Sequence, residues 1–142
     1  MSDILMGTFR GKTYRLKVEC YSKTAEIKVQ LLPTDGSSRI TLTQNLGQTL
    51  PLYQAFLGDG MLEIQDSEFM DYMEINRLGR IVDFKRYAPD VFTGQLRRTA
   101  AVFQFNSSAL RRYHSAGCVR YESHYASLKR RFVERRARRM AG

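Results

Sequence analysis

Residues 13–20 alternate polar with apolar positions, which places Tyr14, Leu16, Val18 and Cys20 on one face. Residues 26–31 repeat the pattern with Ile27, Val29 and Leu31. A period of two marks a strand with one buried and one wet face, because successive side chains point to opposite sides. Ser22-Lys23 allows only a tight connection between the two runs. Pro33-Thr34-Asp35-Gly36-Ser37-Ser38 carries strong turn chemistry ahead of a third strand over 39–44. Residues 6–10 add a short strand that turns at Gly11-Lys12. Links this short join antiparallel neighbours, so the first half predicts a meander with Glu26 and Lys28 on its polar side.

Gly47, Pro51 and Gly58-Asp59-Gly60 punctuate the next stretch around the apolar run 53–57, and then the period changes. Asp66-Ser67 is placed to cap a helix over 68–76, with Phe69, Met70, Met73 and Leu78 as its stripe and Gly79 to end it. Residues 80–87 read as a strand closed by Ala88-Pro89-Asp90, and 99–105 as a final strand. From Asn106 the spacing is helical. Asn106 or Ser107 caps a short helix through Leu110 and Tyr113 that stops near Gly117, and a longer helix begins at Glu122 or Ser123. Tyr121, Tyr125, Leu128 and Phe132 recur every three or four residues, so one stripe docks along a rod on the order of 28 Å. The expectation is one α+β domain: an antiparallel sheet of four to six strands, a short packed helix, and a C-terminal helical pair ending in an Arg-rich arm. Its core spans 1–120, and 121–142 form the amphipathic helix and basic arm without a separate linker.

A chain of 142 residues suits one domain with a core that needs neither disulfides nor metal. Cys20 and Cys118 are too few for a disulfide framework. The N-terminus lacks a basic region followed by an apolar stretch, and no apolar run approaches the roughly 18 residues that span a bilayer. These features predict a cytoplasmic protein with no membrane association and no cofactor.

Charge changes the picture. The formal +9 divides unevenly: residues 1–95 sum to −1, and residues 96–142 carry twelve bases against Glu122 and Glu134 alone. Residues 129–139 hold seven bases: Lys129, Arg130, Arg131, Arg135, Arg136, Arg138 and Arg139. The planar guanidinium matches pairs of phosphate oxygens, and cations near a helix C-terminus suit its dipole. Arg97, Arg98, Arg111, Arg112 and Arg120 extend the patch if the last strand and the helices share a face. The partner expected is a polyanion, namely DNA, RNA or a nucleoprotein. A solvated tail that only aids solubility is the plainer alternative, and docking on an acidic protein surface is a third.

Other constellations are weaker. Phe103, Phe105, Tyr113, Tyr121, Tyr125 and Phe132 lie among these charges, where exposed rings could stack bases, but core packing explains them better. Asp59, Glu63, Asp66, Glu68, Asp71 and Glu74 form a base-free acidic segment. It is a solvated helix face, a mimic of phosphate spacing that enters another protein's nucleic-acid groove, or an internal rival for the Arg arm, within one chain or across a dimer. His114, Cys118 and His124, with Cys20 borrowed as a fourth ligand, fit no standard zinc spacing, so no metal site is expected. Glu26 and Lys28 match the last element of one metal-dependent nuclease pattern but lack its upstream acid beyond Glu19 or Asp3. A non-enzyme is the expectation, with such a nuclease as the distant alternative.

The order running from residues 39–46 through Ala55-Phe56-Leu57-Gly58-Asp59-Gly60 to Phe69-Met70 and Leu78-Gly79 resembles a family of small uncharacterised domains. Those domains are encoded on conjugative elements and prophages of gut bacteria. The resemblance covers roughly residues 13–86. Gly58-Asp59-Gly60 replaces a longer Asp/Asn-rich segment, and the Arg-rich end lies outside the match. It implies a mobile-element origin and transfers no site. Small proteins of such elements often act on host nucleoprotein machinery. That makes an inhibitor of a host nucleic-acid-targeting defence complex, of anti-CRISPR or anti-restriction type, the runner-up to direct nucleic-acid binding.

Overall fold

The computed structural model describes residues 3–48, 50–58, 61, 67–87 and 98–141, without the side chains at 87, 98, 132 and 134–141. The alternating runs become β1 (Tyr14–Cys20) and β2 (Ile27–Pro33), paired antiparallel from Tyr14 opposite Pro33 to Cys20 opposite Ile27. Tyr14, Leu16, Val18, Ile27, Val29 and Leu31 are all buried, so hydrophobic burial of one face sets the alternation. The link between them closes where the Tyr21 N–H donates to the Glu26 carbonyl at 2.8 Å, with Ala25 at φ 55. Residues 6–10 do not form a strand. Isolated bridges join Ile4 to Arg15 and Phe9 to Lys12 around a tight turn at Arg10 and Gly11, both at positive φ.

Residues 39–44 form two strands where one was expected. β3 (Ile40–Thr41) pairs with β2, and β4 (Thr43–Gln44) pairs with β5 (Gln54–Leu57). Leu42 is the crossing point: its N–H donates to Val29 O, its carbonyl accepts from Gly58 N–H, and its side chain is fully buried. The chain therefore leaves one sheet for another at a single residue. Instead of one sheet there are two among the described residues, in the orders β1-β2-β3 and β4-β5-β7-β6, and every pairing is antiparallel.

α1 (Glu68–Ile75) buries Phe69, Tyr72 and Met73. Ser67 sits at its N-cap without a side-chain bond to the backbone, and Asp66 lies outside the described residues. Gly79 does not end this helix. Asn76 does: its side-chain amide donates to Met6 O and Tyr72 O and accepts from Met6 N–H. Gly79 instead opens β6 (Gly79–Tyr87) at φ 154, where a Cβ would stand 2.1 Å from Gln104 O of β7 (Arg98–Phe105). The glycine is there for close strand approach, not for helix termination. A β-bulge separates Ile81 from Asp83 in the β6–β7 pair.

α2 (Ser107–Ala141) starts as expected, with Asn106 Oδ1 accepting from Ser108 N–H at 3.1 Å. The helical pair proves to be two segments joined end to end at His114 (φ −152, ψ 72), with no loop near Gly117. At that break the His114 ring turns its Nδ1 to accept the Val18 N–H at 2.8 Å, satisfying part of the outer edge of β1. Gly117 lies within the helix, where a Cβ would come within 2.1 Å of Val18 O. Tyr121 and Tyr125 are buried. The Tyr121 hydroxyl accepts from Tyr53 N–H at 2.8 Å, and the Tyr125 hydroxyl donates to Leu50 O at 3.2 Å. No helix among the described residues is long and apolar enough to cross a membrane.

Candidate nucleic-acid interface

The bases of α2 fall into two groups according to whether an acid lies within reach. Arg111 is ion-paired with Glu122, which also accepts the Tyr53 hydroxyl at 2.9 Å. That Arg111 bond, seconded by the one from Tyr53, holds the Glu122 carboxyl below its ordinary range. Burial first, and the Glu122 acceptor second, push the Tyr53 phenol above its usual value. Arg112 stands 3.7 Å from Asp3 and lies over the Tyr113 ring. Both bases belong to the part of α2 that is fastened to the body.

Arg120, Lys129, Arg130 and Arg131 are exposed and form no ion pair among the described residues. Lys129 Nζ lies 5.2 Å from the centre of the Tyr125 ring, a contact that leaves its charge facing water. Arg135, Arg136, Arg138 and Arg139 continue the same helical backbone, with side chains outside the described set. Arg98 begins β7 with its side chain likewise outside, and Arg97 is outside the described residues altogether. Beyond the break at His114, the helix from Ser115 to Lys129 alone rises about 21 Å at 1.5 Å per residue, which separates the Arg111–Arg112 pair from Lys129–Arg131. They are therefore two clusters and not one patch.

The aromatic residues serve the core. Phe103, Phe105, Tyr113, Tyr121 and Tyr125 are buried, and Phe132 has its side chain outside the described set. Among the acids, Glu68, Asp71 and Glu74 lie exposed on α1, while Asp59, Glu63 and Asp66 are outside the described residues. The end of α1 adjoins the start of α2, where Asn106 N–H donates to Leu78 O at 2.8 Å. Within one chain the acidic helix thus neighbours the beginning of α2, and the basic run lies toward its other end.

The metal and nuclease constellations do not assemble. His114 accepts from Val18, His124 Nε2 lies 3.0 Å from Ser22 O, and Cys118 is buried. No group of three or more His, Cys, Asp or Glu among the described residues is placed to hold a metal ion. Glu26 is not on a polar face: it is 4% exposed, its Oε1 has no hydrogen-bond partner among the described residues, and burial pushes its carboxyl up to about 7. It precedes β2 and follows left-handed Ala25, so strand alternation does not set its direction. Lys28 lies over the Tyr21 ring, and Glu19 is paired with Lys17 at 2.9 Å.

One feature is not foreshadowed by the charge pattern. An open cleft of about 370 Å³ lies between the end of α1 and the β6–β7 pair, lined by Glu74, Arg77, Arg80, Gln104, Phe105 and Asn106 around Gly79. Arg77 and Arg80 are exposed and form no ion pair among the described residues. The near-neutral balance of residues 1–95 hides them. The local signal is Arg77-Leu78-Gly79-Arg80, two bases bracketing a glycine. No protein-family model, curated protein or solved structure matches this chain.

Proposed function

We propose that this protein binds nucleic acid, free or within a nucleoprotein, without catalysis, and that the basic end of α2 grips the phosphates. The observation that carries the reading is the contrast along one helix. Arg111 and Arg112 meet acids of their own chain, whereas Lys129, Arg130 and Arg131 are exposed and meet none among the described residues. Consecutive like charges repel, so an unneutralised cluster gains free energy from an approaching polyanion. The four arginines from Arg135 to Arg139 add to that run in the sequence.

The test is binding of duplex and single-stranded oligonucleotides by the full chain across a salt series. For duplex DNA, log K should fall against log salt with a slope of about −4 to −7, each phosphate neutralised contributing about −0.9. Replacing Lys129, Arg130 and Arg131 together with Gln should make that slope shallower by about 2 to 3. A flat salt response overturns the reading. Capture from a host lysate with and without nuclease treatment then assigns the partner. Loss on nuclease treatment supports nucleic acid. A nuclease-resistant protein partner, with little affinity for free DNA or RNA, would favour an inhibitor of a defence complex.

A further inference from the structure

The cleft beside the end of α1 is a second basic site, remote from the run at Lys129. Arg77 holds φ 53, a conformation that residues bearing a side chain rarely adopt. Gly79 follows at φ 154, pressed so close to Gln104 that no side chain fits there. Between Arg77 and Arg80 the wall is therefore bare. Asn106 is fixed by its main-chain bond to Leu78 and by its side-chain oxygen on Ser108 N–H, and its Nδ2 has no partner among the described residues. Gln104 spends its Nε2 on Phe105 O, leaving its side-chain oxygen to accept.

The cleft thus presents two guanidiniums and an amide donor opposite one carboxylate and one amide acceptor. Glu74 is exposed and among the described residues pairs with neither Arg77 nor Arg80. Two guanidiniums against one carboxylate leave the site a net positive charge, while the opposite dipole ends of α1 and α2 that adjoin it offset each other. Guanidinium forks match the oxygens of a phosphate, and a phosphomonoester offers more of them than a backbone diester does. The volume of about 370 Å³ is in the range of small-molecule sites.

We infer that this cleft binds the phosphate of a single nucleotide, free or at the end of a strand, with Arg77 and Arg80 pairing its oxygens. Glu74 and Gln104 accept hydrogen bonds from the sugar hydroxyls or the base. The site does not depend on the basic end of α2.

Calorimetric titration of the full chain with a nucleoside 5′-monophosphate, the matching nucleoside and inorganic phosphate tests this. The monophosphate binds at least tenfold more tightly than the nucleoside. The double variant Arg77→Gly, Arg80→Gln loses at least tenfold in monophosphate affinity, and glycine keeps the left-handed backbone at 77 accessible. Glu74→Gln removes the one negative charge and tightens inorganic phosphate severalfold. The triple Gln variant at Lys129, Arg130 and Arg131 keeps its monophosphate affinity within twofold. A short oligonucleotide with or without a 5′-phosphate identifies the source. Preference for the phosphorylated strand over the free nucleotide points to a strand end, and the reverse to a free nucleotide. Equal affinity for nucleoside and monophosphate overturns the inference. So does no binding at millimolar concentrations, no loss in the folded double variant, or no gain in Glu74→Gln.

Discussion

Up to Leu128, α2 is tied to the body through buried rings and backbone bonds, whereas at Lys129, Arg130, Arg131 and Val133 its side chains meet solvent. Both stretches are rich in bases, and the same residue type behaves differently in each. Among the described residues, Arg111 and Arg112 of the seated stretch lie beside Glu122 and Asp3 and Arg120 alone meets no acid, while the later run meets none at all. Exposed ion pairs contribute about 0–1 kcal/mol, so they orient the early bases without holding the helix down. Seating comes from Tyr121 and Tyr125, rings of a size whose burial stabilises by about 1.5–3 kcal/mol, with the small apolar Cys118 buried beside them. Counting bases along a sequence therefore overstates the charge available to a partner. What counts is the charge left after the chain's own acids have been met.

Unseating the early stretch has the largest consequence for stability. In a free helix, Gly117→Ala would stabilise by about 0.5–1 kcal/mol through propensity. Here the new Cβ would meet Val18 O at 2.1 Å and His114 Nδ1 at 2.5 Å, so the helix must lift and strain the His114 bond to β1. Overpacking of this kind costs about 1–3 kcal/mol, and the weakened hydrogen bond adds roughly 1 more. A urea midpoint reads the sign directly. A stabilised alanine variant would show that α2 does not rest on β1 at this distance.

A smaller effect sharpens the account of where α2 sits. His124 fastens the turn over 21–26, which ends in buried Glu26. The folded Glu26 carboxyl titrates at about 7 against an ordinary 4.5, so between these values the folded state holds a proton that the unfolded chain has released. Its contribution is therefore most favourable below pH 4.5 and is lost as pH rises through 7. His114 acts in the opposite sense. Burial, with the Arg120 and Lys17 charges behind it, lowers its pKa from 6.5. The stability it gives is present above pH 6.5 and is lost as pH falls through its lowered value. Glu26→Gln should stabilise by about 1–3 kcal/mol at about pH 8 and change little at about pH 4, since one pKa unit corresponds to about 1.4 kcal/mol. Equal effects at both pH values, measured by urea unfolding, would contradict this.

How much of this is legible in the sequence depends on range. Tyr14, Leu16 and Val18, like Tyr121 and Tyr125, announce their burial because periodicity is a local property and a buried face imposes it. Gly79 and Gly117 look like stop signals for the same local reason. Their actual neighbours, Gln104 and Val18, are distant in sequence, and nothing near the glycines encodes that approach. Leu42 reads as the middle of a strand because a switch between sheets preserves alternation. At the candidate interface the run from Lys129 is plain in the sequence, but the engagement of Arg111 by Glu122 is not. Nor is the cleft at Arg77 and Arg80, which exists only because α1, β6 and the start of α2 converge.

The least perturbing substitution for stability lies in the later stretch, where the bases face solvent. Replacing Lys129, Arg130 and Arg131 with Gln should leave the unfolding free energy within about 1 kcal/mol, since the exposed contact of Lys129 on the Tyr125 ring is worth about 0.5–1 kcal/mol and Arg130 and Arg131 are solvated. A slight gain from relieved like-charge repulsion fits as well. The same protein should lose much of the salt dependence of polyanion binding. On one preparation, then, thermal unfolding stays almost unchanged while the salt titration flattens. A loss above about 1 kcal/mol would be larger than solvated side chains produce. It would mean that these bases help seat α2. The boundary at Leu128 would then fail, and the charge attributed to a partner would belong to the fold.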